Sequence, residues 1–442
     1  MIKASMMIAI ITAVAVTCVL PAQAATVSAA SCSRTDVGNA VASAANGDTI
    51  QIPSGTCNWT TTLTVNKGVT MIGAGPGATV LQDNVSKGGS GCSGGGPLMD
   101  WNVNSPSAMR ISGFTIQGVA GDPSVCQRGH ITVEGSTKSM RIDHITVNPA
   151  QTVAIYIQGD VWGVIDHMTF TASFKNAVRV EHLNWNGTSG DTWGDQSWAQ
   201  VLRAGSGEGI FVEDSTFTDT TGGSTVGNFT DCFSGGRMTI RHNTFNAGNL
   251  TSHGADSDQR HRGCRWQEIY SNTFNFTGSQ GVAFVTWIRG GSGVVFNNTI
   301  SAPGGLNQVV QASNCRDSDA GCGGGPSYTP WGACNGSSRY DQNAIGGYRC
   351  VDQPGSGTSL LISGDPPTSN WVGNVTEPIY VWNNTVNGAA RNNASGSTNV
   401  QSGRDYNVGT ARPAYTPYTY PHPLAGGAGN PPSSPTNVRI IR

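Results

Sequence analysis

Charge is what this chain has least of. Only 12% of its 442 residues are Asp, Glu, Lys or Arg, and the formal net charge is -2. Binding to nucleic acid or to an anionic membrane needs clustered Lys and Arg, so neither is expected as a partner. No two cysteines stand at C-x-x-C spacing, which removes the usual ligand pattern of a cysteine zinc site. Beyond the first residues there is no apolar run of about 18 or more, the length a membrane helix needs. The glycine-rich piece Ile72-Gly73-Ala74-Gly75-Pro76-Gly77 is not followed by a helical pattern, so it reads as a tight turn and not a nucleotide loop.

What is present begins with a secretory pattern. Lys3, the apolar run from Met6 to Leu20 and Ala22-Gln23-Ala24 predict a signal segment over residues 1–24 and a secreted mature chain. Cys18 follows no lipobox, so free secretion is expected and not a lipid anchor. Of the 11 cysteines, the 10 that remain after Cys18 form an even set suited to disulfides. Sequence proximity suggests Cys32 with Cys57, Cys92 with Cys126, Cys232 with Cys264, Cys315 with Cys322 and Cys334 with Cys350.

A repeat runs through the chain. Thr115, Thr146, Thr169, Thr216, Thr244, Thr273, Thr299 and Thr385 occupy one position of a short strand signal, at successive spacings of 31, 23, 47, 28, 29, 26 and 86 residues. Reading 47 as two coils and 86 as three gives one coil per 23 to 31 residues, with long loops or irregular coils filling the large gaps. Asn243, Asn272, Asn298 and Asn384 each stand just before the Thr, and stacked amides at one register predict a hydrogen-bonded ladder along the axis. Asn at a corner also tolerates left-handed backbone geometry. Asp36 to Ala45 reads as a short amphipathic helix before the strands begin, and a helix there would cap the open end of an all-β solenoid.

Gly47-Asp48-Thr49-Ile50, Pro53-Ser54-Gly55-Thr56, Ile72 to Gly77 and the Asn-Thr-Phe coils resemble secreted right-handed parallel β-helix proteins of the pectate-lyase-like superfamily. The resemblance spans roughly Asp36 to Leu424 and implies one right-handed parallel β-helix domain over residues 25–425. Residues 426–442, rich in Pro, Gly and Ser, read as a tail. Lyases, hydrolases, esterases and inactive adhesins share that fold, so the resemblance speaks to architecture more than to activity.

In the resembled enzymes the strand before each Asn-Thr-Phe copy lines a groove. Strand alternation would then bring Arg179, Glu181, Asp231, His253 and Asp256 to one face of consecutive coils spaced about 4.8 Å apart. Trp287, at the end of Val282 to Trp287, falls on the same set of strands. Between His182 and Gly209, Trp185, Trp193 and Trp198 are suited either to stacking on sugar rings or to packing the loop onto the body. A groove with similar subsites at each coil favours an extended polymer, and a uronate-containing polysaccharide is the leading class. For β-elimination from such a polymer, His253 offers a base, and Arg260, Arg262 and Arg265 offer cations for a carboxylate. Asp231 and Asp256 are expected either to orient His253 or to hold Ca²⁺. A structural network of ion pairs would use the same residues.

Two other readings stay open. Asp231, His253-Gly254 and Arg289 follow the order found in polygalacturonases, although Cys232 stands where a second Asp of an adjacent pair is expected. A non-catalytic glycan-binding β-helix is the other. His144, His167 and His242 recur within the strand repeat and are expected to stack between coils, whereas His261 reads as solvated loop. Asn314 to Gly357 is expected to leave the solenoid as a disulfide-stapled excursion, with Trp331, Tyr340 and Arg349 as possible contacts. Tyr415 to Leu424 contains prolines that cannot pair inside a sheet and reads as an extended cover along the body. The oligomeric state is not predicted.

Overall fold

A computed structural model describes residues 24–88, 95–118, 129–148, 153–171, 176–182, 197–198, 200–220, 228–255, 262–278, 281–317, 332–334, 350–358, 374–426 and 438–440. The chain winds through three parallel ladders in a fixed cyclic order, each strand pairing with the strand one turn later. The first ladder runs from Leu63–Val65 through Val153–Ile157, Asn176–Glu181, Asn228–Phe233, Asn249–Thr251 and Val282–Ile288 to Ala394–Gly396. The second runs from Thr26–Ser28 through Ile210–Glu213, Arg237–Arg241, Trp266–Tyr270 and Ser292–Phe296 to Tyr406–Val408. The third runs from Gly55–Trp59 to Thr385–Val386. This is an all-β, solenoid-like fold with parallel pairing on every face.

The threonine register is the clearest link from sequence to coil. Thr115, Thr146, Thr169, Thr216, Thr244, Thr273, Thr299 and Thr385 pair in sequence along the third ladder. Thr169 pairs directly with Thr216, and Thr299 directly with Thr385, so each wide spacing is one coil carrying a long excursion and not two or three coils. Inward from this register, Phe170, Phe217, Phe245 and Phe274 stack with ring centroids 4.7, 4.8 and 4.9 Å apart. Each buried ring contributes about 1.5–3 kcal/mol of apolar burial.

The asparagine ladder forms at the corner between the second and third ladders. Asn243 Nδ2 donates to Asn272 Oδ1 at 3.1 Å, Asn272 to Asn298 at 3.0 Å, and Asn298 to Asn384 at 2.9 Å. Each acceptor oxygen also takes the backbone N–H of the preceding coil, so no amide in the column is left dry and unpaired. Left-handed geometry falls one residue earlier than expected, on His242, Ser271, Asn297 and Asn383, with φ of 56°, 56°, 54° and 53°. His144 and His167 occupy the equivalent corner and stack with centroids 4.9 Å apart. His242 instead stacks on Tyr420, at 3.7 Å.

A helix forms over Arg34–Ser43, its N-terminus capped by Ser33, whose hydroxyl accepts the Asp36 N–H at 3.1 Å. Val37, Ala40 and Val41 bury into the same core as Val27, Ile50 and Leu63. Cys32–Cys57, Cys232–Cys264 and Cys334–Cys350 are disulfides, and Cys315 is also disulfide-bonded. Cys92, Cys126 and Cys322 lie outside the described residues, as do residues 1–23 of the expected signal segment. No described helix is long and apolar enough to cross a membrane.

The segment from Arg412 to Ala425 lies along the second ladder. Arg241 donates to the carbonyls of Tyr418 and Thr419 at 2.7 and 2.9 Å, and Glu213 accepts the His422 N–H at 2.7 Å. Residues Val438–Ile440 add a parallel strand beside Thr26–Ser28, so this part of the tail joins the sheet.

Candidate functional site

The three corners differ in what they carry. Between the second and third ladders of the later coils the chain turns in two residues, as at His242-Asn243 and Ser271-Asn272. Both borders of the first ladder carry longer connections, residues 182–209 and 313–378 on the side shared with the second ladder and residues 219–227 and 276–281 on the side of the third. Loops around a regular face are where binding residues concentrate, which directs attention to the first ladder.

On its outer side, Tyr156 pairs in register with Arg179, Arg179 with Asp231, and Glu181 with Phe233. Four consecutive coils thus bring Arg179, Glu181, Asp231 and His253 together with Tyr156. These groups are packed and not splayed into an open groove: Arg179 is 2% exposed, Glu181 3% and Asp231 3%. Tyr156 donates its hydroxyl to Glu181 and accepts from Gln158 Nε2 at 2.6 Å. Burial pushes the Tyr156 phenol well above its ordinary pKa, and the Glu181 charge adds to the shift, so the phenol keeps its proton and donates. Arg179 lies 3.5 Å from Glu181 and stacks its guanidinium 4.0 Å from the Phe233 ring centre.

One coil on, His253 Nδ1 lies 2.7 Å from Asp231 Oδ1. His253 N–H donates to the Cys232 carbonyl at 2.8 Å, and the Cys232–Cys264 disulfide ties that strand to the chain returning from the loop. The His253 side chain keeps 16% exposure beside the edge of Phe233, so it is the more open member of the pair. A carboxylate on Nδ1 fixes the imidazole tautomer and orientation, the arrangement that prepares Nε2 to exchange a proton. The next coil supplies Trp287 and Arg289. Arg289 Nε donates to the Ser252 carbonyl at 2.7 Å, its guanidinium lies 4.8 Å from the Trp287 ring centre, and Trp287 Nε1 donates to Ser313 at 2.6 Å.

Three expected site residues are placed elsewhere. Arg262 is fully buried and makes a two-pronged pair with Asp352, Nε at 2.7 Å and Nη2 at 3.0 Å. It is a counter-ion holding the excursion to the body, and not a cation open to a carboxylate in a groove. Arg265 belongs to the second ladder's side, 4% exposed and 2.7 Å from Glu377. Trp198 is 1% exposed, donates to the Gly263 carbonyl at 3.0 Å and lies over Arg262 and Arg265, so it packs its loop and presents no free ring. Asp256, Arg260, His261, Trp185, Trp193, Trp331, Tyr340 and Arg349 lie outside the described residues.

Of the expected Ca²⁺ pair, Asp231 is described and Asp256 lies outside the described residues. Ca²⁺ takes about 6–8 oxygens. Asp231 has His253 against one oxygen, and among the described residues no group of three or more His, Cys, Asp or Glu side chains is gathered to hold a metal.

Sequence reasoning missed Tyr156, Gln158 and Phe233 as parts of the cluster. Tyr156 stands on a strand already assigned to this face, at the register of Arg179, so counting outward positions finds it. Asp352 and Glu377 could not be found that way, because they pair with partners 90 and 112 residues away.

No protein-family profile matches the chain, and no curated protein matches it. Among solved structures, a protein described as ORF18 of Geobacillus virus E2 is similar at 15% identity with a TM-score of 0.38, covering 62% of this chain and 54% of its own. The chain thus spans about half the length of that protein, a likeness too slight to carry the family expected from the sequence.

Proposed function

We propose that the chain is a secreted carbohydrate-active protein that binds an acidic polysaccharide along its first ladder and cleaves it by β-elimination. The observation that carries this reading is the Asp231–His253 pair, 2.7 Å apart on a face bordered by loops. In this reading His253 Nε2 takes the proton α to a uronate carboxylate, the electron pair forms the new double bond, and the glycosidic oxygen leaves. Arg289, tied to the backbone at Ser252 beside His253, replaces Arg262 and Arg265 as the cation that steadies the developing charge. Arg179, Glu181 and Tyr156 hold the strand beneath. The winding is taken as right-handed, the hand that parallel crossover connections adopt, which would place the fold with the pectate-lyase-like β-helices, with the helix Arg34–Ser43 as its cap. Secretion accords with the disulfides.

A non-catalytic reading is favoured by one observation, the deep burial of Arg179, Glu181 and Asp231. Incubation with a panel of uronate polymers separates the cases. The ultraviolet absorbance of an unsaturated uronate is the expected result; new reducing ends without it would indicate hydrolysis, and binding without products would indicate a glycan-binding module.

A further inference from the structure

Away from the first ladder, on the outer side of the second, a pocket of about 610 Å³ is lined by Gln200, Leu202, Arg265, Glu377, Tyr380 and Arg412, with Val201 and Val375 at its edge. We infer that this pocket is a second ligand site, recognising a carboxylate carried on a sugar ring.

Its construction starts from a gap between coils. Arg265 and Glu377 precede strands two turns apart on the same ladder, and the turn between them carries Gly291. Gly291 has φ 68°, and a Cβ there would meet the Cys264 carbonyl oxygen at 2.1 Å, so glycine is required. Glycine presents no side chain between the flanking coils, and Arg265 reaches Glu377 across it at 2.7 Å. Arg412, from the C-terminal segment, meets the other oxygen of Glu377 at 3.3 Å, with its guanidinium 4.8 Å from the Trp266 ring centre.

Two guanidinium groups therefore share one carboxylate, leaving one positive charge in excess. Arg265 Nε and Arg412 Nη1 are both buried with no hydrogen-bond partner among the described residues, and Arg265 is only 4% exposed. Buried donors of this kind carry a desolvation cost. A fork of N–H donors matches a carboxylate or phosphate. An excess of a single charge favours the monoanionic carboxylate.

The flanks supply the other half of the ligand. Val201 is 71% exposed and Val375 45%, two of the four exposed large hydrophobic side chains described, and both border this pocket with half-buried Tyr380. Such a rim suits a ring with an apolar face. The volume lies within the ~300–1,000 Å³ range of small-ligand sites. That the ring is a uronate rests on the acidic-polysaccharide reading; that the ligand is a carboxylate rests on the pocket alone.

The test is calorimetric titration of the full chain with galacturonate, galactose and inorganic phosphate. Galacturonate should bind and galactose should be at least about tenfold weaker, the scale of one charge-assisted pair. Arg412→Gln should lower galacturonate affinity by about tenfold or more, with Arg412→Lys recovering part of it. Glu377→Gln, which removes the internal competitor, should raise it. The titration reads binding of galacturonate and not cleavage of a polymer, so failure of the cleavage reading and failure of this one are told apart. Equal affinity for galactose, tighter binding of phosphate, no binding of galacturonate, or binding indifferent to Arg412→Gln with the thermal midpoint unchanged would each overturn the assignment.

Discussion

Arg262 and His253 come from the same charged stretch of sequence, and the fold gives them opposite circumstances. Arg262 is sealed against Asp352, and removing one partner of such a pair leaves the other charged and buried. Arg262→Ala should therefore cost about 3–5 kcal/mol in urea unfolding, with any loss of activity following loss of folded protein. His253 is partly open and sits at the edge of its cluster, so His253→Ala should cost less than Arg262→Ala, the loss coming from the buried Asp231 carboxylate it leaves behind. The sequence could place both residues in one active stretch because charge is scarce elsewhere. It could not separate them, because the residue that decides the matter lies in a distant excursion.

Two other histidines set the response to acid. His182 is held at about 3, by burial first and then by the Arg237 charge; His422 is held at about 4, by burial and then by Arg241. Both are neutral in the fold while the unfolded chain protonates near 6.5, so the unfolded state binds more protons between these values. Stability should be level above pH 7 and fall as the pH drops from about 6.5 toward 4. Asp143 acts in the same direction at lower pH. Burial pushes its carboxyl up, but hydrogen bonds from Arg110 and His144 outweigh that and hold it well below the usual range. Its contribution is present above the ordinary carboxylate value and is lost as the pH falls toward the depressed one. Thermal midpoints measured across this range check the sign. His422→Asn, which can keep an acceptor for the Leu424 N–H, should flatten the upper part of the decline.

At the scale of the element, what could be read from the sequence was whatever repeats. Thr and Asn recur at one position because each coil meets its neighbour at the same height, so identical side chains stack on themselves. The ladder Asn243, Asn272, Asn298 and Asn384 was legible for that reason. Loop length was not: the 86-residue spacing from Thr299 to Thr385 is a single coil, because an excursion can leave and rejoin a parallel ladder without altering its register. The ladder also bears load. Asn272→Ala strips the acceptor from the buried Asn243 backbone N–H and breaks the column on both sides. An orphaned buried donor costs about 1–3 kcal/mol, and the denaturation midpoint should move accordingly. A smaller shift would mean that water enters the corner.

At the scale of the molecule, two faces of the solenoid are treated differently. The second is clad by the C-terminal segment through Arg241, Glu213 and Glu268, which accepts from Tyr415 at 2.5 Å. Its outer aromatic column, Tyr270, Phe296 and Trp382, is stacked at 4.7 and 4.3 Å and covered by Tyr415. The prolines of Tyr415 to Leu424 foretold an extended cover, because they deny the segment a place inside a sheet. The first face has the Asp231–His253 pair instead, with connections of several residues on both of its borders. The central claim concerns that face, and the most direct test is turnover of a uronate polymer by the wild-type chain and by His253→Ala, with unfolding followed in parallel. The account predicts an unsaturated product from the wild type and its loss in His253→Ala while that variant remains folded at the assay temperature. Product formation that survives in His253→Ala would contradict it.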